Sequence, residues 1–304
     1  MLKRKAFNRI FFSTVAFFLV FTLYNLKLVN NSDINYKTKE QRNKEIIYTL
    51  NSNNYVSKTE VYVGEFYSLE DKIKEKLEIM TSENNKNALL PSYFKPILPE
   101  NTKVLDVVIE DSLVKVYFSK ELNNINEEQS EKMIEAIIYT ITDENILGIE
   151  IYVEGNLLKY VPHTKKELPT ILTRNFGINK TYEIFNPNDI AKIVMTYYTN
   201  CGNNLCEVPV TKYVNDKREK IEIVFDELSD ITTDNNLISL LENTKIIDYK
   251  INKNDILVNI NNDITEEESK LIFSSIFNNY NVEKVSILVN NQKKIEKNKK
   301  NIEK

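Results

Sequence analysis

Glu100-Asn101-Thr102-Lys103-Val104-Leu105-Asp106 returns as Glu242-Asn243-Thr244-Lys245-Ile246-Ile247-Asp248. The recurrence extends further along the chain. Leu105, Val107 and Ile109 alternate, as do Ile247, Tyr249 and Ile251; Val114, Val116 and Phe118 are answered by Ile256, Val258 and Ile260. Period-two alternation marks half-buried strands. Glu110-Asp111-Ser112 and Asn252-Lys253-Asn254, between the runs, are turn-type residues. Each copy therefore reads as a β-hairpin with Leu105, Val107 and Ile109, or their counterparts, on the buried face, and Asp106 or Asp248 on the other.

A helix comes next in each copy. Asn126-Glu127-Glu128-Gln129 and Thr265-Glu266-Glu267-Glu268 both read as capping boxes. The stripe Met133, Ile134, Ile137, Ile138, Ile141 is repeated as Ile272, Phe273, Ile276, Phe277, Tyr280, one face of a 3.6-residue period. A last strand carries Ile149, Ile151 and Val153, matched by Val285, Ile287 and Val289. Ahead of the hairpins, copy one has a strand at 59–66 and a helix with Ile73, Leu77 and Met80. Copy two has a strand at 191–198, a hairpin through Cys201 and Cys206, and a helix with Ile221, Val224, Phe225 and Leu228. Apolar faces must bury one another. The expected fold is α+β: two tandem β-α-β-β-α-β domains, each a small sheet with two helices packed on one face, after an N-terminal transmembrane helix.

The flanks set the expected organisation. Residues 1–9 form a basic cytoplasmic end with Lys3, Arg4, Lys5 and Arg9; residues 10–29 are apolar and long enough for a transmembrane anchor. The positive-inside rule puts the body outside the cytoplasm. A cleaved signal peptide would need a small-x-small site, but bulky Tyr24, Leu26, Leu28 and Val29 follow the apolar core. The expected location is therefore the cell membrane, single-pass. Residues 30–57 read as a juxtamembrane spacer and 58–158 as the first domain. Residues 159–189, with Pro162, Pro169, Gly177 and Pro187, read as a connector, 190–291 as the second domain, and 292–304 as a basic disordered tail. The body between the basic ends is net negative, which argues against a nucleic-acid partner.

The residues of copy one resemble the GerMN domain of bacterial sporulation and spore-germination proteins. Leu98-Pro99-Glu100-Asn101-Thr102-Lys103-Val104 is similar to the family's Leu-Pro-x-Gly-Thr-x-Val approach to the hairpin, with Asn101 in place of the Gly. Val114-Lys115-Val116-Tyr117-Phe118-Ser119 resembles its next strand, Tyr139-Thr140-Ile141-Thr142 its helix end, and Ile149 to Gly155 its last strand. In copy two, Val208-Pro209-Val210-Thr211-Lys212 resembles the segment before the first helix, and Asn290-Asn291 stands where the family Gly would be. The connector from Leu168-Pro169 to Gly177-Ile178-Asn179 is similar to linkers in tandem members. The resemblance implies a non-enzymatic envelope protein that works by protein–protein contact with envelope or sporulation-machinery proteins. The alternative is a peptidoglycan-binding module or an envelope hydrolase.

Reactive groups are few. Two Cys and one His are too few for a Cys/His zinc site, and no catalytic set, metal site or cofactor loop is expected. Cys201 and Cys206 enclose four residues and form the candidate disulfide, with two free thiols as the alternative. His163 reads as an exposed connector residue. Asp106 and Asp248 fall on separate domains and so do not form the carboxylate pair of a glycosidase. The first-turn acids Glu127, Glu128 and Glu266 to Glu268 complement helix dipoles. Tyr117 and Tyr152 sit on outer strand faces, where tyrosine suits either half-burial or a partner contact.

Overall fold

A computed structural model describes residues 43–82, 85–229 and 236–299. The basic end, the 10–29 anchor, residues 30–42 of the spacer and residues 300–304 of the tail lie outside the described residues. The compact unit is Lys44–Lys304, and it contains both copies.

Copy one runs β1 (Asn43–Asn51), β2 (Val56–Val63), α1 (Leu69–Ile79), β3 (Phe94–Lys95), β4 (Val104–Glu110), β5 (Leu113–Phe118), α2 (Glu127–Ile141), β6 (Gly148–Val153) and β7 (Asn156–Leu157). Copy two runs β8 (Thr181–Glu183), β9 (Ile190–Cys201), β10 (Asn204–Asn215), α3 (Lys220–Ser229), β11 (Ile246–Ile251), β12 (Asp255–Ile260), α4 (Glu266–Asn279), β13 (Lys284–Val289) and β14 (Gln292–Asn298). The expected skeleton is present in both copies, but the expectation of one sheet per domain is corrected. Each copy has a three-stranded sheet, β2-β1-β3 or β8-β10-β9, and a four-stranded one, β4-β5-β6-β7 or β11-β12-β13-β14. The fold is α+β.

The four-stranded sheets are the same construction twice. β4 and β5 pair antiparallel and β5 and β6 parallel, with α2 as the crossover; β11, β12, α4 and β13 repeat this. Val114 pairs with Ile149 and Ile256 with Val285, so the two registers coincide. Parallel neighbours require such a crossover, and the helix stripe fills the space beneath. Met133, Ile134, Ile137, Ile138 and Ile141 are all buried, as are Ile272, Phe273 and Ile276. Thr265 and Glu268 close a full capping box. In copy one Asn126 accepts from the Gln129 N–H, while its amide donates to the Gln129 side chain, so the reciprocal backbone bond is not made.

The simple alternation expected in β4 and β11 does not hold. A bulge falls between Val104 and Asp106, and another between Ile246 and Asp248. A bulge sets two residues against one and turns the strand. Val104 and Val107 therefore point inward, whereas Leu105 and Ile247 are each 50% exposed. Ahead of each bulge Asn101 and Asn243 both have φ near +60°, which explains why Asn stands where the family has Gly: Asn tolerates the left-handed region.

Three boundaries are also corrected. The spacer of 30–57 holds β1 and the start of β2, because Ile47, Leu50 and Val56 are fully or almost fully buried within a polar-looking stretch. The tail of 292–304 begins with strand β14, paired antiparallel with β13. Asn290 and Asn291 both have positive φ, as do Glu154 and Gly155 between β6 and β7. A two-residue loop of this kind matches the twist of a hairpin, so Asn290-Asn291 sends the chain back along the sheet. Finally, the 159–189 connector is a packed strap. Val161, Leu168, Leu172 and Ile178 belong to the first core, and β8 pairs parallel with β10.

Ile137 and Ile276 are completely buried in two separate apolar clusters. Truncating either to Ala should lower stability by about 2–5 kcal/mol. The double variant should lose close to the sum, because the two sites share no partners. Chemical denaturation of the single and double variants measures both quantities.

Candidate functional site

The two copies meet along a polar seam centred on the strap. Gly177, at φ +88°, turns the chain so that Ile178 and Asn179 enter the junction. The Ile178 N–H donates to Thr211 Oγ1, and the Thr211 N–H to the Ile178 carbonyl. The Asn179 side chain accepts from the Val56 N–H at 2.9 Å and donates to the carbonyls of Val56 at 2.7 Å and Pro209 at 2.8 Å. β2 packs beside β10 here, and one carboxamide connects them. Pro209 fits inside β10 because Thr196, opposite it on β9, turns its N–H to Ser275 Oγ, so this pair exchanges no ladder bonds.

An ion cluster lies next to this seam. The Asn179 N–H donates to Glu135 Oε2, and Lys180 pairs with Glu135 at 2.5 Å and Glu131 at 2.8 Å. Glu135 and Lys180 are both nearly fully buried at their charged ends. Burial pushes the Glu135 carboxyl above its ordinary value, against the pull of Lys180. At the opposite edge of the junction Cys201 and Cys206 are joined as a disulfide, with Cα atoms 5.8 Å apart. The bond closes the tip of the β9–β10 hairpin, and the tip packs on Phe94 of β3 with Leu90 and Tyr93. Asn53 adds hydrogen bonds to Thr199 Oγ1 and the Asn200 carbonyl.

Between these contacts the copies leave a cleft of about 570 Å³. Tyr48, Tyr139 and Arg174 line one side, Lys192, Val194 and Lys220 another, and Phe277 to Asn279 a third. Arg174 lies over the Tyr139 ring and donates to the Thr142 hydroxyl and carbonyl. A second, smaller cavity shares Tyr48, Tyr139, Asp143 and Arg174 and reaches Lys76. The Lys76 ammonium is nearly enclosed, with Glu45 at 4.0 Å as its ion-pair partner. Burial lowers its pKa to about 8, and Lys72 and Arg174 act in the same direction.

The other candidate residues are spread out. His163 is exposed, with Nε2 2.8 Å from the Asn123 carbonyl oxygen. Asp106 caps the Val107 N–H in copy one; in copy two Asp248 accepts from Asn259, its partner across the β11–β12 ladder. Among the described residues no group of three His, Cys, Asp or Glu is arranged to hold a metal, and no helix is long and apolar enough to cross a membrane. Tyr117 and Tyr152 stack with centroids 4.7 Å apart. A second stack, Tyr182 on Tyr213 at 5.0 Å, leaves no trace in the sequence pattern: β8 lies in the strap, which carries no alternation. The cleft is equally hidden, because its walls come from strap, strand and helix segments far apart in sequence.

Comparison with known proteins places a chain of this geometry. Residues 40–159 match the Germane family, described as sporulation and spore germination. The spore germination protein GerM of Bacillus subtilis (strain 168) is 26% identical over 268 residues, spanning 82% of this chain and 72% of that protein. The solved tandem GerMN domains of the sporulation protein GerM from Bacillus subtilis superpose with a TM-score of 0.77 at 22% identity, over 83% of this chain and 92% of that one. Over residues 40–159 the chain therefore resembles the Germane family, and as a whole it has the fold of two GerMN domains in tandem.

The junction can be probed at two residues. Asn179→Ala should cost about 3 kcal/mol or more in chemical denaturation, since it strips the partner from three buried backbone groups at about 1–3 kcal/mol each. Asn179→Asp should cost more, because it loses both donated bonds and sets a charge beside Glu135. For Lys76, NMR titration of its side chain should give a midpoint near 8, not the ordinary 10.5. Between those values the folded chain holds fewer protons than the unfolded one, so stability should rise with pH across that window. Lys76→Met should abolish the rise.

Proposed function

We propose that the chain is a membrane-anchored, extracytoplasmic envelope protein that acts in sporulation or germination through protein–protein contact, without catalysis. The observation that carries this reading is the tandem GerMN body, shared with a spore germination protein, set behind a basic end and an apolar stretch at 10–29. Two similar domains held by one polar seam offer a large, shaped surface to a partner. The stacked pairs Tyr117–Tyr152 and Tyr182–Tyr213 supply aromatic area on two separate sheets, and tyrosine is enriched where partners bind tightly. The partners are envelope or sporulation-machinery proteins. The interdomain cleft favours a second reading, a module that binds a component of the peptidoglycan layer.

Protease added to intact protoplasts should remove the body and leave a small protected N-terminal fragment. Protection of the whole chain would reject the membrane topology. Capture on the exported chain of a discrete envelope protein, lost when Tyr117 and Tyr152 are both changed to Ala, supports action by contact; capture of purified cell wall alone favours the second reading.

A further inference from the structure

The cleft carries an excess of positive charge at one end. Arg174 and Lys192 are half-buried, Lys220 is exposed, and all three line the same cavity. None of them is ion-paired with a carboxylate among the described residues. Arg174 uses part of its donor fork on Thr142, and Lys192 Nζ donates to the Asn175 carbonyl at 2.6 Å. Burial lowers the Lys192 pKa, and the charges of Lys220 and Lys180 lower it further, so these cations face one another. The acids in the walls are engaged or placed elsewhere and, among the described residues, form no ion pair with these three cations. Asp143 accepts from the N–H groups of Asn145 and Ile146, and Glu144 pairs with Lys299 at 3.6 Å. Glu207 sits opposite Tyr198, six residues along β9 from Lys192, or about 20 Å of strand.

The geometry points to an oxyanion site: the Arg174–Lys192–Lys220 end of the interdomain cleft binds a ligand that bears clustered carboxylates or phosphates. A guanidinium with unused donors suits both groups, since its planar fork matches two oxygens at once. The two lysines add point charges from β9 and from the start of α3. Tyr48 and Tyr139 give the ligand's uncharged part an aromatic wall. The volume falls within the range of small-molecule sites, and it suits a free polyanion or the acidic end of a longer chain. Because the cations come from the strap and from the second domain, and the tyrosines from the first, a bound anion bridges the copies. Anion binding at this end depends neither on where the chain is located nor on what protein it contacts.

The test uses the full chain in detergent, at fixed ionic strength, with citrate and inorganic pyrophosphate as probes. Thermal midpoint and calorimetric titration are both read. A saturable rise with either anion is expected; citrate alone assigns carboxylate, pyrophosphate alone assigns phosphate, and both together assign a shared oxyanion site. The Lys192→Gln/Lys220→Gln variant should weaken binding about tenfold or more, as expected for lost charge-assisted contacts. Lys250→Gln/Lys253→Gln removes the same charge from the β11–β12 hairpin and should leave binding unchanged. Lys220 is exposed, so Lys220→Gln alone serves as the second variant if the pair fails to fold, with a smaller loss in the same direction. The site is rejected if neither anion saturates, if the cleft variants bind like the parent, or if the hairpin variant loses as much.

Discussion

A single buried carboxamide holds the two halves in register. Asn179 offers one acceptor and two donors, and all three are used on backbone groups of two strands from different copies. A backbone polar group left unpaired in a buried seam is costly, so β2 and β10 need something at this point that an apolar side chain cannot supply. The left-handed backbone of Gly177 and Asn179 delivers that side chain, and Lys180 comes next in the chain to satisfy Glu135. The cleft, the disulfide contact with Phe94 and the placement of Arg174 all presuppose this seam. Two domains that were beads on a linker would have none of them.

The parts legible in sequence are those that repeat. Each hairpin, crossover helix and return strand appears twice with the same apolar register, and that duplication distinguishes a core pattern from chance. The structure keeps the Val114–Ile149 and Ile256–Val285 pairings in step. Legibility fails where local geometry overrides periodicity. The bulges at Leu105 and Ile247 are each a single extra residue, and a two-residue alternation runs straight through them. β1 is hidden because its buried side chains, Ile47 and Leu50, stand among charged and polar neighbours. β14 is hidden because six Lys in 292–304 read as solvated tail, although Asn290-Asn291 is a hairpin signal in its own right.

The site is less legible than the fold, for a different reason. Its residues carry no shared motif: Arg174 comes from the strap, Lys192 from a strand, Lys220 from the first turn of a helix, Tyr139 from another helix. Only the packing of the copies brings them together. Thr140 of α2 accepts from the Tyr48 N–H and donates to the Tyr48 carbonyl, and Asn279, its counterpart in α4, does the same for the N–H and carbonyl of Val194. The same helix position serves the corresponding strand in both halves, with a different side chain making the same pair of bonds.

That edge has a consequence for how the chain can assemble. β9 is the outermost strand of its sheet, and an outermost strand with idle N–H and C=O groups is a template on which another chain can lay down a further strand. Here the template is blank. Between Val194 and Tyr198 the outward N–H groups are taken by Asn279, Ser275 and the Ile238 carbonyl, and the Val194 and Tyr198 carbonyls by Asn279 and the Ile238 N–H. The long β9–β10 ribbon therefore cannot be extended by strand addition along this stretch unless α4 and the segment at Ile238 are first pulled away. Copies of the chain, or a partner, must meet it through side chains.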